Sequence, residues 1–377
     1  MPKTYDVVIQ GRGVVAHTLA LLLARDRLSV ALVDTLAPAS DKPDIRAYAL
    51  NAASRRLLDS VRAWPADEAV TPIRQMWVSE PDTHQPAALQ LHPPAGETAL
   101  GWMVDVPTLT DTLAQALHFQ AGIERLSAPA PARLTVICEG KDSRSRQDLG
   151  IDWARTPYPH TAVAARFRCE RTHGAVARQW FVQGQVLALL PLDGEQGHTV
   201  GLVWSLPHDE AAAHLRSDPT SLAHAVQSAC DHALGAMTLL GEPAGWPLGL
   251  AQATRWVQPR LALAGDAAHT LHPLAGQGLN VGLADAEALA RVLREREYWR
   301  DVGDLRLLRR YERERRAAFA DMAWVTDRLF GLFGHTDSRV QTLRRLGLQA
   351  FNQCPPLKSW MARQAAGLAP RPSAHPI

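Results

Sequence analysis

The stretch that decides the fold is YDVVIQGRGVVA, residues 5–16. Tyr5–Gln10 is a short apolar run rich in valine and isoleucine, which is typical of a buried strand. Gly11 and Gly13 follow it, and an apolar segment of helical character continues to Ala24. A second strand pattern, LSVALVD, covers residues 28–34. The chain therefore opens with a βαβ unit, which predicts a sheet with parallel strands.

The two glycines lie where a dinucleotide-binding fingerprint must lie, between a strand and a helix. Gly11 permits the tight turn, Gly13 allows the backbone to approach a pyrophosphate, and Ala16 keeps the helix close to the strand. The start of the helix offers N–H groups to phosphates. Asp34 follows Gly11 by 34 − 11 = 23 residues, near the roughly 20 expected for an acid that binds ribose. The pattern predicts binding of an adenine dinucleotide, and the alternative is a strand–turn–helix without a ligand.

A second motif, GDAAHTLHPLAGQGLNVGLAD, spans residues 265–285. Asp266 follows a short strand, where its carboxylate could hold a polyol hydroxyl. A glycine-rich turn then opens a long helix, and the N–H groups of its first turn, residues 278–280, are expected to form an anion site. His269 and His272 are not interpreted as metal ligands, because no third ligand lies near them in the sequence.

The second motif resembles the flavin motif of the FAD-dependent aromatic hydroxylases with a p-hydroxybenzoate-hydroxylase fold. More narrowly, it is similar to the pattern of the ubiquinone-biosynthesis hydroxylases. The resemblance implies that Asp266 holds the flavin ribityl chain and that Pro273 lies near the isoalloxazine ring. It also implies that FAD is bound by the turn and the helix start, which comprise Gly265, Gly276, Gln277, Gly278, Leu279 and Asn280.

The resemblance extends over most of the chain. The sequence DIRAYAL at residues 44–50 fits a family pattern whose arginine, here Arg46, is implied to reach toward the flavin and the nicotinamide cofactor. EGKDSRSR at residues 139–146 matches an element that backs the FAD site. Pro191 and Trp204 belong to segments that match the substrate-domain sheet. Pro191, Trp204 and Pro273 are therefore candidate residues of the substrate pocket. For Pro191 and Trp204, a role in plain core packing is an equally good interpretation.

The expected fold is α/β (α+β over the whole chain): a Rossmann-like FAD-binding domain, an antiparallel-sheet substrate domain and a C-terminal helical tail. Strand patterns at Ala162–Phe167, Val186–Leu192 and Thr199–Leu206 predict the antiparallel sheet. The predicted FAD-binding domain is discontinuous and comprises residues 1–70, 100–155 and 255–295. The substrate domain comprises residues 71–99 and 156–254, the C-terminal helices residues 296–368 and a disordered tail residues 369–377.

Composition restricts the class of protein and its location. The balance of 40 Lys+Arg against 38 Asp+Glu argues against a nucleic-acid binder. Four widely spaced cysteines, Cys138, Cys169, Cys230 and Cys354, argue against a disulfide framework and a zinc site, so reduced thiols in the cytoplasm are expected. No apolar run reaches the roughly 18 residues of a transmembrane helix. The first residues lead directly into a strand, which leaves no room for a secretory signal.

The C-terminal half carries two surface features. Arginines and glutamates alternate over Arg291–Arg316, a pattern that favours a solvated, salt-bridged helix face over a basic patch. Apolar residues from Trp324 to Phe333, and later Phe351, Trp360 and Met361, indicate a packed or dimer-forming helix. The alternative is a surface that docks on the inner membrane or on a partner in quinone biosynthesis.

Several positions depart from the family pattern. Arg12 stands where a small residue is usual, Glu139 replaces an aspartate, and Val106 replaces an asparagine. Only Phe119–Leu134 separates a predicted helix from the strand that ends at Cys138. The strand and hairpin that the family places there, near the adenine, are therefore expected to be missing.

The resemblance implies an FAD-dependent monooxygenase that uses NAD(P)H as co-substrate and O2. It would hydroxylate the aromatic ring of a prenylated phenol in ubiquinone biosynthesis, with the flavin carrying the chemistry and no assigned general base. One alternative is a non-catalytic flavin-fold subunit that stabilises a quinone-biosynthesis complex, which the departures favour. The complete second motif favours the enzyme. Another alternative is a hydroxylase of some other aromatic compound.

Overall fold

The computed structural model describes residues 3–34, 44–79, 89–182, 184–270 and 278–334. Its strands are β1 (Tyr5–Gln10), β2 (Val30–Val33), β3 (Ala47–Leu50), β4 (Val70–Ile73), β5 (Gln75–Ser79), β6 (Leu89–Leu91), β7 (Gly101–Asp105), β8 (Ile123–Leu126), β9 (Ala132–Ile137), β10 (Trp153–Cys169), β11 (Val176–Val182), β12 (Gln185–Leu192), β13 (Thr199–Pro207), β14 (Met237–Ala253), β15 (Val257–Gln258), β16 (Leu261–Leu263) and β17 (His269–Thr270). Its helices are α1 (Val14–Arg25), α2 (Ala52–Ser60), α3 (Val106–His118), α4 (Arg144–Asp148), α5 (His208–Arg216), α6 (Pro219–Ala229), α7 (Gly278–Arg294) and α8 (Leu305–Gly334).

The opening βαβ unit forms the centre of a six-stranded sheet with the order β15-β16-β9-β1-β2-β8. β1 pairs in parallel with β2 and β9, so that Ile9 lies opposite Leu32 on one side and Val136 on the other. Val7, Val8 and Ile9 are all buried, as expected of a strand with both faces covered. The strand order and the parallel pairing confirm the Rossmann-like fold.

The carboxyl ends of the parallel strands bring both motifs to one edge of this sheet. β1 leads into Gly11, β2 into Asp34 and β16 into Ala264 and Gly265. The Ala264 N–H donates to the Ile137 carbonyl at the end of β9, at 3.0 Å. Open α/β sheets bind their ligands in the crevice outside this edge.

A second, eight-stranded sheet has the order β17-β14-β10-β13-β12-β11-β5-β6. β10 pairs antiparallel with β13 and β14, and β13 pairs antiparallel with β12. The antiparallel sheet predicted from the strand patterns is therefore confirmed. α5 and α6 cover one face of it through a core cluster that includes Phe167, Leu202 and Val226.

The opposite face of the large sheet packs against the small sheet β3-β7-β4. One apolar cluster contains Met103 of β7 and Leu192 of β12, with Ala49 of β3 and Leu190 of β12 packed against it. This contact joins the Rossmann-like part to the large sheet. The predicted domain boundaries themselves stay a prediction.

The expectation for the segment Phe119–Leu134 was wrong in one part. The segment does contain a strand, β8, which pairs in parallel with β2, but β8 does not form a hairpin with β9, the next strand along the chain. Its two central residues, Glu124 and Arg125, are exposed because β8 is an edge strand, so its apolar signal is weak. The Pro-rich segment from Pro65 to Gly101 has one strand-like sequence pattern, at Ile73–Ser79, yet it contains β4, β5 and β6.

The described chain from Gly278 onward forms the helices α7 and α8, which pack together, in agreement with the predicted C-terminal helical tail. Residues 335–377 lie outside the described residues, and so do the remainder of the predicted helical tail and the predicted disordered tail. Within the described ranges, no helix has both the length and the apolar character to cross a membrane.

Candidate functional site

The loop between β1 and α1 is an open cradle. Gly11 has φ +140°, and a Cβ placed on it would overlap the carbonyl oxygen of Cys138, so glycine is required there. Gly13 caps α1 with φ −83°, and a Cβ placed on it would meet no protein atom within 4 Å. Ala16 is fully buried beneath this turn. The space beside Gly13, at the free N–H groups of a helix start, fits a pyrophosphate.

The second motif packs directly on the first. A Cβ on Gly265, which has φ +62°, would lie 3.2 Å from a methyl carbon of Val15, and a Cβ on Gly282 would lie 2.8 Å from the same methyl carbon. Glycine at both positions therefore lets α7 and the loop after β16 approach α1 closely. The structure brings the two sequence-predicted motifs into contact.

Asp266 lies in a cleft beside this contact. Its side chain reaches solvent, yet protein surrounds it on most sides, and this burial raises the pKa of its carboxyl group. His269 and the positive charges of Lys141 and Arg46 oppose the effect, whereas the negative charge of Asp285 adds to it. An acceptor in such a concave, partly dehydrated position fits the hydroxyl groups of a ribityl chain.

Arg46 is held by its neighbour Asp44 rather than extended alone into the cleft. The guanidinium donates from Nη2 to Oδ2 at 2.6 Å and from Nε to Oδ1 at 2.8 Å. The hydrogen bonds to Asp44 raise the pKa of Arg46, and they lower the pKa of Asp44. The predicted contact of Arg46 with flavin and nicotinamide stays a prediction.

Asn280 ties the start of α7 to the neighbouring elements. Its Oδ1 accepts hydrogen bonds from the Asn51 N–H at 3.0 Å and from Ser54 Oγ at 2.7 Å, and its Nδ2 donates to the Ala49 carbonyl at 2.8 Å. α7 begins at Gly278, and Leu279 packs against the main core. The described part of this motif thus ends in a firmly held helix start. Pro273, Gly276 and Gln277 lie outside the described residues.

The segment Glu139–Arg146 backs the second motif. Glu139 accepts hydrogen bonds from the hydroxyls of Ser143 and Ser145 at 2.8 and 2.7 Å. The buried Arg146 donates to the Ala267 carbonyl at 3.1 Å and lies 4.0 Å above the ring of Trp153. The segment therefore supports the Asp266 loop from behind, as the resemblance implied.

The predicted ribose end of the site contains an unexpected histidine. His17 lies in the first turn of α1, near the charged side chains of Asp34 and Arg125. Burial is the main effect that lowers the pKa of His17 to about 4, and the positive charge of Arg125 lowers it further. Its Nδ1 is buried and has no hydrogen-bond partner. Asp34 itself is exposed just after β2, and Arg12 is exposed beside Gly13.

Sequence reasoning missed a buried charge network behind the second motif. Asp285 is completely buried and accepts hydrogen bonds from the Gly265 N–H at 2.9 Å, His269 Nε2 at 2.6 Å and Arg315 Nε at 2.7 Å. The ring of His269 packs beside both Trp256 and Phe319, with ring centroids 4.8 and 4.9 Å apart, and those two rings also touch each other at 6.0 Å. The interpretation of Arg291–Arg316 as a solvated face was therefore wrong for Arg315.

The two candidate pocket residues of the large sheet lie on its helix-covered face. Trp204 is opposite Leu187 in the β12–β13 pair, and Pro191, four residues after Leu187, shares that face. Trp204 is buried and its ring lies 5.0 Å from that of His214 in α5. Both residues lie on the face of the sheet that α5 and α6 cover, and the other face is the one turned toward β3. This position favours core packing for both residues over a place in the pocket.

Comparison with known proteins agrees with this site. The family described as "FAD binding domain" matches residues 110–325. The "Ubiquinone hydroxylase UbiL" of Rhodospirillum rubrum is 30% identical over 98% of this chain and 92% of its own length. The "3-demethoxyubiquinol 3-hydroxylase" of Escherichia coli is 31% identical over 96% of this chain and 98% of its own.

Solved structures share the fold. PqsL of P. aeruginosa, in complex with 2-aminobenzoylacetate, has a TM-score of 0.76 at 21% identity, over 92% of this chain and 99% of that one. The p-nitrophenol 4-monooxygenase PnpA from Pseudomonas putida has a TM-score of 0.76 at 17% identity, over 99% of this chain and 100% of that one. With the two glycine motifs in contact at the sheet edge, the matches to the FAD-binding domain and to the two full-length relatives show that the chain belongs to the family of FAD-dependent monooxygenases that includes the ubiquinone hydroxylases.

Proposed function

We propose that this monooxygenase hydroxylates the aromatic ring of a prenylated phenol in ubiquinone biosynthesis, with FAD as cofactor, NAD(P)H as co-substrate and O2. The observation that carries the proposal is the contact of Val15 with Gly265 and Gly282. It brings the cradle at Gly13 and the carboxylate of Asp266 to one sheet edge, where one FAD molecule would span both. The names of the two full-length relatives support the substrate class.

FAD, when bound, would supply the redox chemistry that links NAD(P)H and O2 to hydroxylation of the ring. The chain's own residues bind and orient it. The first turn of α1 would donate N–H groups to the pyrophosphate, Asp34 would accept from the ribose hydroxyls, and Asp266 would accept from the ribityl hydroxyls. The first turn of α7, from Gly278, would place its partial positive charge at the flavin ring. Pro273, Gly276 and Gln277 keep the roles that the family resemblance implies.

The aromatic substrate would lie against the face of the large sheet that is turned toward β3. Ala164, Val203 and Ala188 follow one another across three strands of this face, and all three are half-buried. Ser205 is two residues from Val203 on the same face, and its Oγ is buried without a hydrogen-bond partner. Small apolar side chains beside one unsatisfied hydroxyl would suit a phenol ring.

The strand β8 weakens the case for a non-catalytic subunit. That alternative depended partly on a missing strand and hairpin near the adenine, and the chain does form a strand in this segment, β8, beside β2. Arg12 and Val106 still depart from the family pattern, but Val106 is a buried residue at the start of α3 and leaves the cradle intact.

The enzyme would act in the cytoplasm, with access to the inner membrane because a prenylated substrate is lipid-soluble. Assembly into a homo-oligomer or a quinone-biosynthesis complex stays a prediction. The decisive test uses the purified holoenzyme and a prenylated phenol. We expect a flavin absorption spectrum, oxidation of NAD(P)H that accelerates when the phenol is added, and a product heavier by one oxygen atom. Flavin binding without any product under these conditions would contradict the proposed substrate.

A further inference from the structure

One face of α8 carries a row of four arginines. Arg306, Arg309, Arg313 and Arg316 are spaced by three, four and three residues, which places them on one side of a helix. The first three are exposed and Arg316 is half-buried. Together with Glu312 they line one shallow groove on the protein surface.

This row differs from the neighbouring arginines, which are neutralised. Arg300 and Arg310 both pair with Glu297, at 2.7 and 2.8 Å, and Arg291 pairs with Glu314. By contrast, Arg306, Arg309 and Arg313 make no ion pair with any residue that the structure describes. The interpretation of Arg291–Arg316 as a salt-bridged face therefore applies to Arg291, Arg300 and Arg310, and not to Arg306, Arg309 and Arg313.

The one carboxylate in the groove is already engaged. Glu312 accepts a hydrogen bond from the Trp256 N–H at 2.9 Å and lies 3.7 Å from Arg316. The row thus presents three uncompensated positive charges over about 10 Å of helix, since seven residues separate Arg306 from Arg313 at about 1.5 Å each.

The same face of α8 continues to an exposed aromatic residue. Trp324 follows Arg313 by eleven residues, about three helical turns, and 62% of it is exposed. Ala317 and Ala320 lie exposed between the arginines and Trp324. Arginines followed by an exposed tryptophan are the combination found where helices lie at a lipid–water interface.

The segment that follows α8 in the sequence is basic. Residues 335–377 contain one acidic residue, Asp337, and six basic ones, which are Arg339, Arg344, Arg345, Lys358, Arg363 and Arg371. A segment of that charge would be repelled by the arginines. Neither the described residues nor the net charge of residues 335–377 supplies the counter-charge.

We propose that this face of α8 docks on the surface of an anionic phospholipid membrane. Arg306, Arg309 and Arg313 contact lipid phosphates, and the ring of Trp324 lies at headgroup level. A lipid surface fits better than an acidic protein or a nucleic acid because the row is straight and ends in an interfacial residue. The proposal rests on α8 alone and is independent of the proposed substrate.

The test measures binding of the full-length holoenzyme to vesicles by cosedimentation. We expect binding to vesicles of phosphatidylcholine with phosphatidylglycerol, and little binding to phosphatidylcholine alone. The triple variant R306Q/R309Q/R313Q is expected to bind the anionic vesicles roughly 100-fold more weakly, at about fivefold per charge. The variant R168Q/R171Q/R216Q removes the same charge from the substrate-domain surface and is expected to bind like the wild type.

A salt titration of the wild type adds a measurement that needs no variant, because docking by charge weakens as salt screens the arginines. Equal binding of the wild type and the α8 variant to anionic vesicles would overturn the proposal. Binding to neutral vesicles that is as tight, or binding that salt leaves unchanged, would also overturn it. So would absence of vesicle binding, including a wild type that binds only polyglutamate or single-stranded oligonucleotide.

Discussion

The guanidinium of Arg315 and the carboxylate of Asp285 form a buried ion pair at 2.7 Å that links α8 to α7. The other oxygen of Asp285 accepts the N–H of Gly265, the residue before Asp266. Burial alone would raise the pKa of Asp285, but His269 and Arg315 together hold it below its ordinary value. The pair therefore positions the Asp266 loop from a helix that the second motif does not include.

The first prediction concerns this pair. Arg315→Met would leave Asp285 charged and buried with one partner fewer, and such changes cost about 3 to 5 kcal/mol. We expect the free energy of unfolding, measured by urea denaturation, to fall by that amount. Arg313→Gln, two residues earlier on the exposed side of α8, is the matched control and is expected to change stability by less than about 0.5 kcal/mol. Similar losses in both variants would show that the pair does not stabilise the fold.

The second prediction separates the two glycines of the first motif. Gly13→Val is expected to leave the fold intact, because Gly13 has an ordinary φ and open space around it, but its side chain would fill the pyrophosphate cradle. Gly11→Val is expected to destabilise the protein itself, because of the positive φ and the overlap with Cys138. Melting temperatures with and without added FAD distinguish these effects. A Gly13→Val protein that FAD stabilises as much as the wild type would disprove the cradle assignment.

The third prediction is a pH dependence that originates from His17. Its pKa of about 4 in the folded protein lies below the roughly 6.5 of an unfolded chain, so the unfolded state binds more protons between these values. Stability is therefore expected to fall as the pH drops from 6.5 to 4, by roughly 2 to 4 kcal/mol, and to be unaffected by this group above pH 6.5.

Replacing His17 by Gln should remove this part of the acid sensitivity, which urea denaturation at several pH values measures. His224→Gln, at an exposed position of α6, provides the control. If the His17 variant and the control lost stability along the same pH curve as the wild type, His17 would not be the group responsible.

The sequence predicted the parts of the site that depend on local conformation. Gly11 and Gly265 have positive φ values that few other residues adopt, and β1 is apolar on both faces, so the motifs and their elements could be recognised. The contact of Val15 with Gly282 joins residues 267 positions apart and was expected only through the family resemblance. Local patterns specify turns and buried strands, and they do not specify which motifs meet.

Arg315 and β8 were missed for different reasons. An arginine among arginines and glutamates suggests a solvated face, yet Arg315 falls on a buried stripe with Leu308, Tyr311 and Phe319, whose helical spacing was the available signal. β8 forms an edge and exposes its two central charged residues. Charge alone therefore does not reveal whether a side chain is paired in the interior or lies at an edge.

The last prediction separates an enzyme from a structural subunit. Asp266→Ala is expected to abolish or sharply reduce FAD binding, because it removes the acceptor for the ribityl chain from the cleft.

In a quinone-deficient host, wild type is expected to restore quinone and Asp266→Ala is not, at matched amounts of folded protein. Asp111→Ala, which removes an exposed carboxylate from α3, should restore quinone like the wild type. Equal rescue by wild type and Asp266→Ala would mean that the cell needs the fold and not the flavin, since a scaffold has no use for the cleft acid. We expect rescue to follow bound flavin, measured by absorbance of each purified variant, because the cradle, the acid and the start of α7 all lie around one sheet edge.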